Sequence, residues 1–266
     1  MNKINFYKQL KKICGCLYFF VITTINYLLD FVLDQDQIVK ETSNLGHSEI
    51  KELLRESLIQ KAGENFLITN NKYFKHYSIF KYKNHRIKSL IWQLKFNGNR
   101  KIAGVLAKFI VEKIGEIIQE NQDVKKFILI PIPIHKKRRA ERGYNQCEWL
   151  CEEVLKIKKD VSDLLNQPYP ISDIGLLYFP KVLVRQKYTV KQSWVSKNER
   201  MKNIHNVFKL SAGRKWQNFM EKNDLNSTNS AFLIIDDVYT TGSTMKEASK
   251  ILSKLEFKII SLTVAR

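Results

Sequence analysis

The run from Phe232 to Met245, FLIIDDVYTTGSTM, concentrates the residue types best suited to chemistry. An apolar stretch delivers Asp236 and Asp237 to its end. A small-residue turn follows, Thr240-Thr241-Gly242-Ser243-Thr244, and then a helical pattern. Adjacent carboxylates can accept hydrogen bonds from vicinal sugar hydroxyls, or face a Mg²⁺ that a ligand brings with it. Free amides at a helix start, joined by Thr and Ser hydroxyls, make an anion cradle. Gly242 permits an unusual backbone angle and a close approach. Thr244 with Glu247 fits a capping box that would anchor the helix start. A Walker loop would bind phosphate differently, and its G-x-x-x-x-G-K-[ST] spacing is absent from the sequence.

A second constellation runs from Ile130 to Gln146, IPIPIHKKRRAERGYNQ. A Pro-x-Pro ends an apolar run and releases Lys136, Lys137, Arg138, Arg139 and Arg142. Arg can fork two donors onto one phosphate. Gly143 supplies a turn, and Asn145 and Gln146 place amide side chains before the next helix. Such a basic loop would clamp pyrophosphate or a nucleic-acid backbone. A solvated basic turn has the same composition. His135 can touch a phosphate or be satisfied by backbone.

The elements that must position these residues are legible from residue 85 onward. Ile87, Leu90, Ile91 and Leu94 recur at helical spacing and predict a helix over 85–95. Asn97-Gly98-Asn99 reads as a turn, and Ile102, Val105, Leu106, Phe109 and Ile117 as one side of a second helix. Residues 127–134 read as a buried strand with Pro131 and Pro133 marking its end. A helix is expected from Gln146 to Lys156, strands at 182–185, 231–238 and 258–264, and a helix from Thr244 to Leu255. Strands alternating with helices predict a parallel α/β sheet. Residues 34–84 are polar and mixed, without clear period beyond a helical pattern at 48–60.

Charge and length bound the partners. The chain has 266 residues, with Lys+Arg 45 against Asp+Glu 26, a formal charge of +19. That balance favours polyanions: nucleic acid, phosphorylated small molecules or an anionic membrane face. The same excess arises from a Lys-rich composition alone. Four Cys are too sparse for a disulfide framework, and a reducing cytoplasm is the simplest expectation. Residues 13–33 are strongly apolar behind Lys3, Lys8, Lys11 and Lys12, but Thr23, Thr24, Asn26 and Asp30 interrupt them. A helix docked on the main domain or on a membrane surface fits this better than a span.

The acidic strand end and its turn resemble the phosphoribosyl-pyrophosphate (PRPP) motif of type I phosphoribosyltransferases. In order, four stretches resemble the ComF family, which is linked to competence and DNA uptake. They are Leu94-Lys95-Phe96 with Gly98, then Arg142-Gly143-Tyr144-Asn145-Gln146, then Arg185, Thr189, Gln192, Arg200, Asn203 and Phe208, and finally the phosphate motif. The resemblance implies a type I phosphoribosyltransferase-like parallel sheet flanked by helices over 81–266, after a divergent helical segment over 1–80. It implies that Thr240 to Thr244 hold a 5′-phosphate and that Asp236 and Asp237 hold the ribose. Arg138, Arg139, Arg142, Asn145, Gln146, Arg185 and Arg200 would face phosphates, with Mg²⁺ carried by PRPP. Family members often begin with a four-Cys zinc ribbon. Here Cys14 and Cys16 form no such set, so no zinc is expected. Cys147 and Cys151 read as packed thiols, and residues 157–181 and 211–230, longer than the family's connections, are expected to be surface loops. Three functions follow: a phosphoribosyltransferase, a non-catalytic adaptor binding single-stranded DNA or an uptake helicase, and a membrane-docked scaffold resting on residues 13–33.

Overall fold

The computed structural model describes residues 47–59, 63–69, 72–157, 175–188 and 206–266. All belong to one compact unit, Leu45–Arg266. The expectations for residues 13–33, Cys14, Cys16, Thr189, Gln192, Arg200 and Asn203 lie outside the described residues.

Among the described residues, seven α-helices and eight strands follow one another. They are α1 (His47–Leu53), β1 (Glu64–Thr69), β2 (Lys72–Phe80), α2 (His85–Phe96), α3 (Arg100–Gln119), β3 (Lys126–Pro131), α4 (Lys136–Arg142) and α5 (Gln146–Ile157). Then come β4 (Gly175–Tyr178), β5 (Leu183–Arg185), β6 (Phe208–Leu210), α6 (Arg214–Lys222), β7 (Ser230–Val238), α7 (Ser243–Leu252) and β8 (Lys258–Ala265). The main sheet has the order β1-β2-β8-β7-β3-β4, and β5 pairs with β6 apart from it. Every pairing from β2 to β4 is parallel, and β1 alone runs antiparallel on the edge. This is the parallel α/β sheet expected.

The central strands are apolar on both faces because both faces are covered. Phe232 and Ile234 of β7 pack with Ile128 and Ile130 of β3, and with Trp216, Met245, Ala248 and Leu252 from α6 and α7. Side chains alternate along a strand, so Leu233 and Ile235 face the opposite side. There α3 packs on α5 and reaches β2 and β8. Helix α7 therefore starts at the carboxyl end of β7, where the acids stand.

Three expectations change. The hairpin β1–β2 lies within the stretch read as unpatterned, and β2 is an inner strand of the sheet. The boundary expected at 80/81 thus falls inside the compact unit. Its inward polar residues hide the pattern: His76 bonds Ser261 Oγ and Ser78 Oγ at 2.9 Å each, and Ser78 bonds Thr263 at 2.9 Å. Residues 211–230 hold α6, whose Trp216 is buried against Phe232 and Phe257, and β4 falls within 157–181, so neither stretch is merely a surface loop. The basic stretch after β3 is a helix rather than a loop. His135 Nδ1 accepts from Lys137 N at 3.2 Å at its start, and Gly143 ends it at φ +82°.

Candidate functional site

Asp236 and Asp237 end β7 and are both buried. Asp237 is held on both oxygens. Lys95 Nζ lies 2.8 Å from Oδ1, and Gln146 Nε2 donates to Oδ2 at 2.9 Å. Asp236 Oδ1 accepts from its neighbour's amide, Asp237 N, at 2.9 Å and from Cys147 Sγ at 3.2 Å. Asp236 Oδ2 is the one oxygen of the four without a hydrogen-bond partner among the described residues, and so is the one open to a ligand.

Electrostatics separate the partners. Burial, then the charge of Asp237, pushes the Asp236 carboxyl up to about 7, against the pull of Lys95. Burial would lower the Lys95 ammonium, but Asp237 overcomes it and holds the lysine above its usual value. Burial and both acids push the Cys147 thiol well up, so it stays protonated and donates. Cys147 and Cys151 are buried free thiols, as the packed-thiol reading expects.

The turn after the acids has the expected backbone. Gly242 stands at φ +76°, where a Cβ would lie 2.1 Å from Tyr239 Oη. Thr241 Oγ1 and Ser243 Oγ are 2.7 Å apart. Thr240 is exposed, and Thr241, Ser243 and Thr244 are half-buried. The capping box does not form. The helix starts one residue earlier, at Ser243, with Gly242 at the cap. Glu247 instead accepts from Asn206 N at 2.7 Å and ties α7 to the chain entering β6.

The elbow residues divide. Arg142 Nη1 donates to Gln146 Oε1, which links the elbow to Asp237 through one amide side chain. Its guanidinium also lies over Phe96 and Tyr144. Arg138 lies over Tyr188 and Arg185 over Phe208. Burial, and next the like charge of Arg138, lowers the Arg185 guanidinium, with Asp236 opposing; the three charges thus share one neighbourhood. Three expected phosphate ligands are occupied otherwise, Gln146 by Arg142 and Asp237 as described. Arg139 forks onto Glu148 at 2.6 and 2.7 Å. Asn145 is buried and caps α5: its Oδ1 accepts from Cys147 N at 3.1 Å, and its Nδ2 donates to Ile132 O at 3.0 Å. An amide type suggests a ligand contact; here the unpaired amides of a helix start claim it first.

Sequence reasoning missed Lys95 as a site residue. Its signal was the Lys-Phe-x-Gly turn. Gly98, at φ +62°, donates its N–H to Tyr144 Oη at 3.0 Å, and that hydroxyl donates to Leu94 O at 3.0 Å. The turn thereby fixes the end of α2 against the elbow and carries Lys95 into the acids.

Mg²⁺ seated directly on the acid pair does not fit these residues. Three of their four oxygens already receive an ammonium, an amide, a thiol and a backbone N–H. A separate cavity of about 1160 Å³ opens at the carboxyl ends of β2 and β8, lined by Arg55, Lys81, Arg86, Arg266 and Glu64 among others. It excludes the acids and the turn, so the chemistry-bearing residues rather than this hollow mark the site.

A parallel sheet with an acid pair and a glycine turn at its central carboxyl edge defines an α/β protein of the type I phosphoribosyltransferase-like fold. No protein-family model matches the chain. It is 29% identical over 166 residues to Competence protein F of Haemophilus influenzae, which covers 62% of this chain and 61% of that protein. It is 24% identical over 164 residues to DNA utilization protein YhgH of Escherichia coli strain K12, covering 61% and 59%. With Competence protein ComFC of Bacillus subtilis the identity is 25% over 175 residues, covering 66% and 56%. These relatives support a ComF-family protein. The chain spans about three-fifths of the length of the curated relatives it matches, 61% of one and 59% of another.

Proposed function

We propose that the chain binds a ribose 5-phosphate group, as PRPP or a related ligand, and serves DNA uptake. The observation that carries the reading is the acid pair at the end of β7, placed directly before the Gly242 turn that opens α7. On this reading Thr240 to Thr244 hold the 5′-phosphate through the first amides of α7 and the turn hydroxyls. Asp236 Oδ2 accepts from a ribose hydroxyl, and Asp237 keeps Lys95 and Gln146 in place. Arg138, Arg142 and Arg185 face the pyrophosphate. Mg²⁺ arrives on that pyrophosphate and neutralises charge there. If transfer occurs, these groups stabilise charge as pyrophosphate departs and an oxocarbenium-like carbon forms. The role in DNA uptake is supported by relatives named for competence and DNA utilization. A cytoplasmic location and the absence of zinc belong to the same proposal. Elemental analysis showing stoichiometric zinc would overturn the latter.

The test is calorimetric titration with PRPP plus Mg²⁺, with ribose 5-phosphate and single-stranded DNA as comparisons. Saturable PRPP binding that Gly242→Val removes from a folded protein supports the reading; no binding of either phosphate defeats it.

A second reading, an adaptor for single-stranded DNA and an uptake helicase, has its own observation. Phe96 is half-exposed beneath Arg142, Tyr144 stacks on Trp149 at 3.8 Å, and Arg100 lies over Trp149 at 5.6 Å. Aromatic and cationic groups in one row suit stacked bases. Membrane contact through residues 13–33 remains a further part of the proposal. No helix among the described residues is long and apolar enough to cross a membrane.

A further inference from the structure

Cys147, Asp236 and Asp237 place a thiol sulfur and two carboxylate oxygens within 4.8 Å of one another, a spacing at which three side chains can hold one metal ion. A cation is already there, and it belongs to the chain. Lys95 Nζ lies 2.8 Å from Asp237 Oδ1, and the lysine side chain is 19% exposed against 5% for the aspartate. The lysine does not arrive by chance of a long, free side chain. It sits in the last turn of α2, which Tyr144 fixes through Leu94 O and Gly98 N. Gln146, itself bonded to Arg142, holds the other Asp237 oxygen from the elbow side.

We propose that Lys95 fills the seat a divalent cation would take beside Asp236 and Asp237, so that the acid pair meets a ribose-phosphate without a resident metal. Two buried carboxylates side by side need a counter-charge, and an ammonium supplies it as a compact point charge. An ammonium also has three donors. Asp237 uses one, which leaves the others for oxygens of a sugar or phosphate. A metal entering the same seat would have to displace a charge that is covalently attached and held by its own helix end. The chemistry is specific: the ribose part binds independently of Mg²⁺, and any need for Mg²⁺ comes from the pyrophosphate alone.

The inference rests on the ribose-phosphate reading in one arm of its test and is independent of it in the other. In the independent arm, the full chain is titrated with Mn²⁺ and free Mn²⁺ is read by electron paramagnetic resonance. The wild type is expected to leave Mn²⁺ free at concentrations up to about 100 μM, whereas Lys95→Met is expected to bind about one ion per chain, and Asp236→Asn added to Lys95→Met to abolish it. One Mn²⁺ per wild-type chain, lost in Asp237→Asn, would overturn the proposal. In the dependent arm, ribose 5-phosphate is titrated by calorimetry in EDTA and in millimolar Mg²⁺. Wild type and Lys95→Arg should change by less than about threefold between the two buffers. Lys95→Met should weaken by at least about tenfold in EDTA and recover in Mg²⁺. A wild-type requirement for Mg²⁺ of tenfold or more, or a Lys95→Met defect that Mg²⁺ leaves untouched, would also overturn it. If the wild type binds ribose 5-phosphate in neither buffer, the ribose reading fails and the Mn²⁺ arm alone decides the cation seat. If Lys95→Met does not fold, the two wild-type measurements still decide.

Discussion

Asp236 and Asp237 are neighbours in sequence with divided work. Asp237 organises, holding Lys95 and Gln146, while Asp236 keeps an open oxygen and a carboxyl pushed up to about 7 by burial and its neighbour. An unfolded Asp titrates near 3.9, so between about pH 4 and 7 the native state holds a proton that the unfolded state has lost. Stability from this group therefore falls as pH rises through that window. Asp236→Asn keeps an oxygen for Asp237 N and Cys147, and is expected to be more stable than wild type by about 2–4 kcal/mol at pH 8, with the gain vanishing toward pH 4. His76 slopes the other way. Burial, then Arg266, lowers it to about 3, so its contribution is lost as pH falls below about 6.5. Wild-type urea curves alone would blend the two, whereas the difference between wild type and variant isolates Asp236. A gain independent of pH would sink the assignment. Gly242→Ala meets both a positive φ and Tyr239, which is itself stacked on His76 at 4.1 Å. It should cost about 1–3 kcal/mol in urea unfolding, and a neutral result would show that Tyr239 moves aside freely. The acids and the turn were legible because their types carry the chemistry. Lys95 was not, because one lysine among 45 Lys+Arg has no type-level signal of its partner.

Among the elements, α2, α5, β3 and β7 were readable because their apolar residues follow a clean period or an unbroken run. β2 was not. His76 and Ser78 are buried in it, and their polarity breaks the pattern until Ser261 and Thr263 of β8 are seen to satisfy them. The elbow failed differently. Lys136 to Arg142 are a strong run of charge, and a reading of that charge alone passes over the high helix propensity of Lys, Arg, Ala and Glu; the His135 cap and the Gly143 stop bound α4. The junction from α4 to α5 then turns on Asn145, which sequence reasoning gave to a ligand. It satisfies Cys147 N at the helix start and Ile132 O at the end of β3. Asn145→Ala would leave both buried groups unpaired. We expect a loss of about 2–4 kcal/mol in chemical denaturation, with ribose-phosphate affinity unchanged within about threefold at a temperature where the variant is folded. A stable variant with lost affinity would return Asn145 to the ligand site.

At the scale of the whole molecule, the +19 charge sets the background against which any polyanion binds. Single-stranded DNA binding should weaken with salt, log K falling by about 0.7 per phosphate neutralised. Were the elbow arginines all on phosphates, replacing Arg138, Arg139 and Arg142 together would flatten the slope by about two units. The structure lowers that expectation. Arg139 forks onto Glu148, and breaking a forked ion pair to reach a phosphate exchanges one carboxylate for one phosphate with little counterion release. Arg142 is bonded through a neutral amide and lies over two rings, with no carboxylate bonded to it among the described residues, so it is available to a backbone phosphate. The triple Ala variant should flatten the slope by about 1.4, and Arg139→Ala alone by no more than about 0.2, both read from filter-binding titrations across salt. If the elbow serves only a pyrophosphate, the triple variant loses PRPP and keeps the wild-type DNA slope. A slope change in Arg139→Ala equal to that in Arg142→Ala would show that the Glu148 pair opens on binding and that all three arginines work as one surface. A triple variant that binds both ligands like the wild type would leave the elbow as a solvated basic helix and remove its arginines from either function.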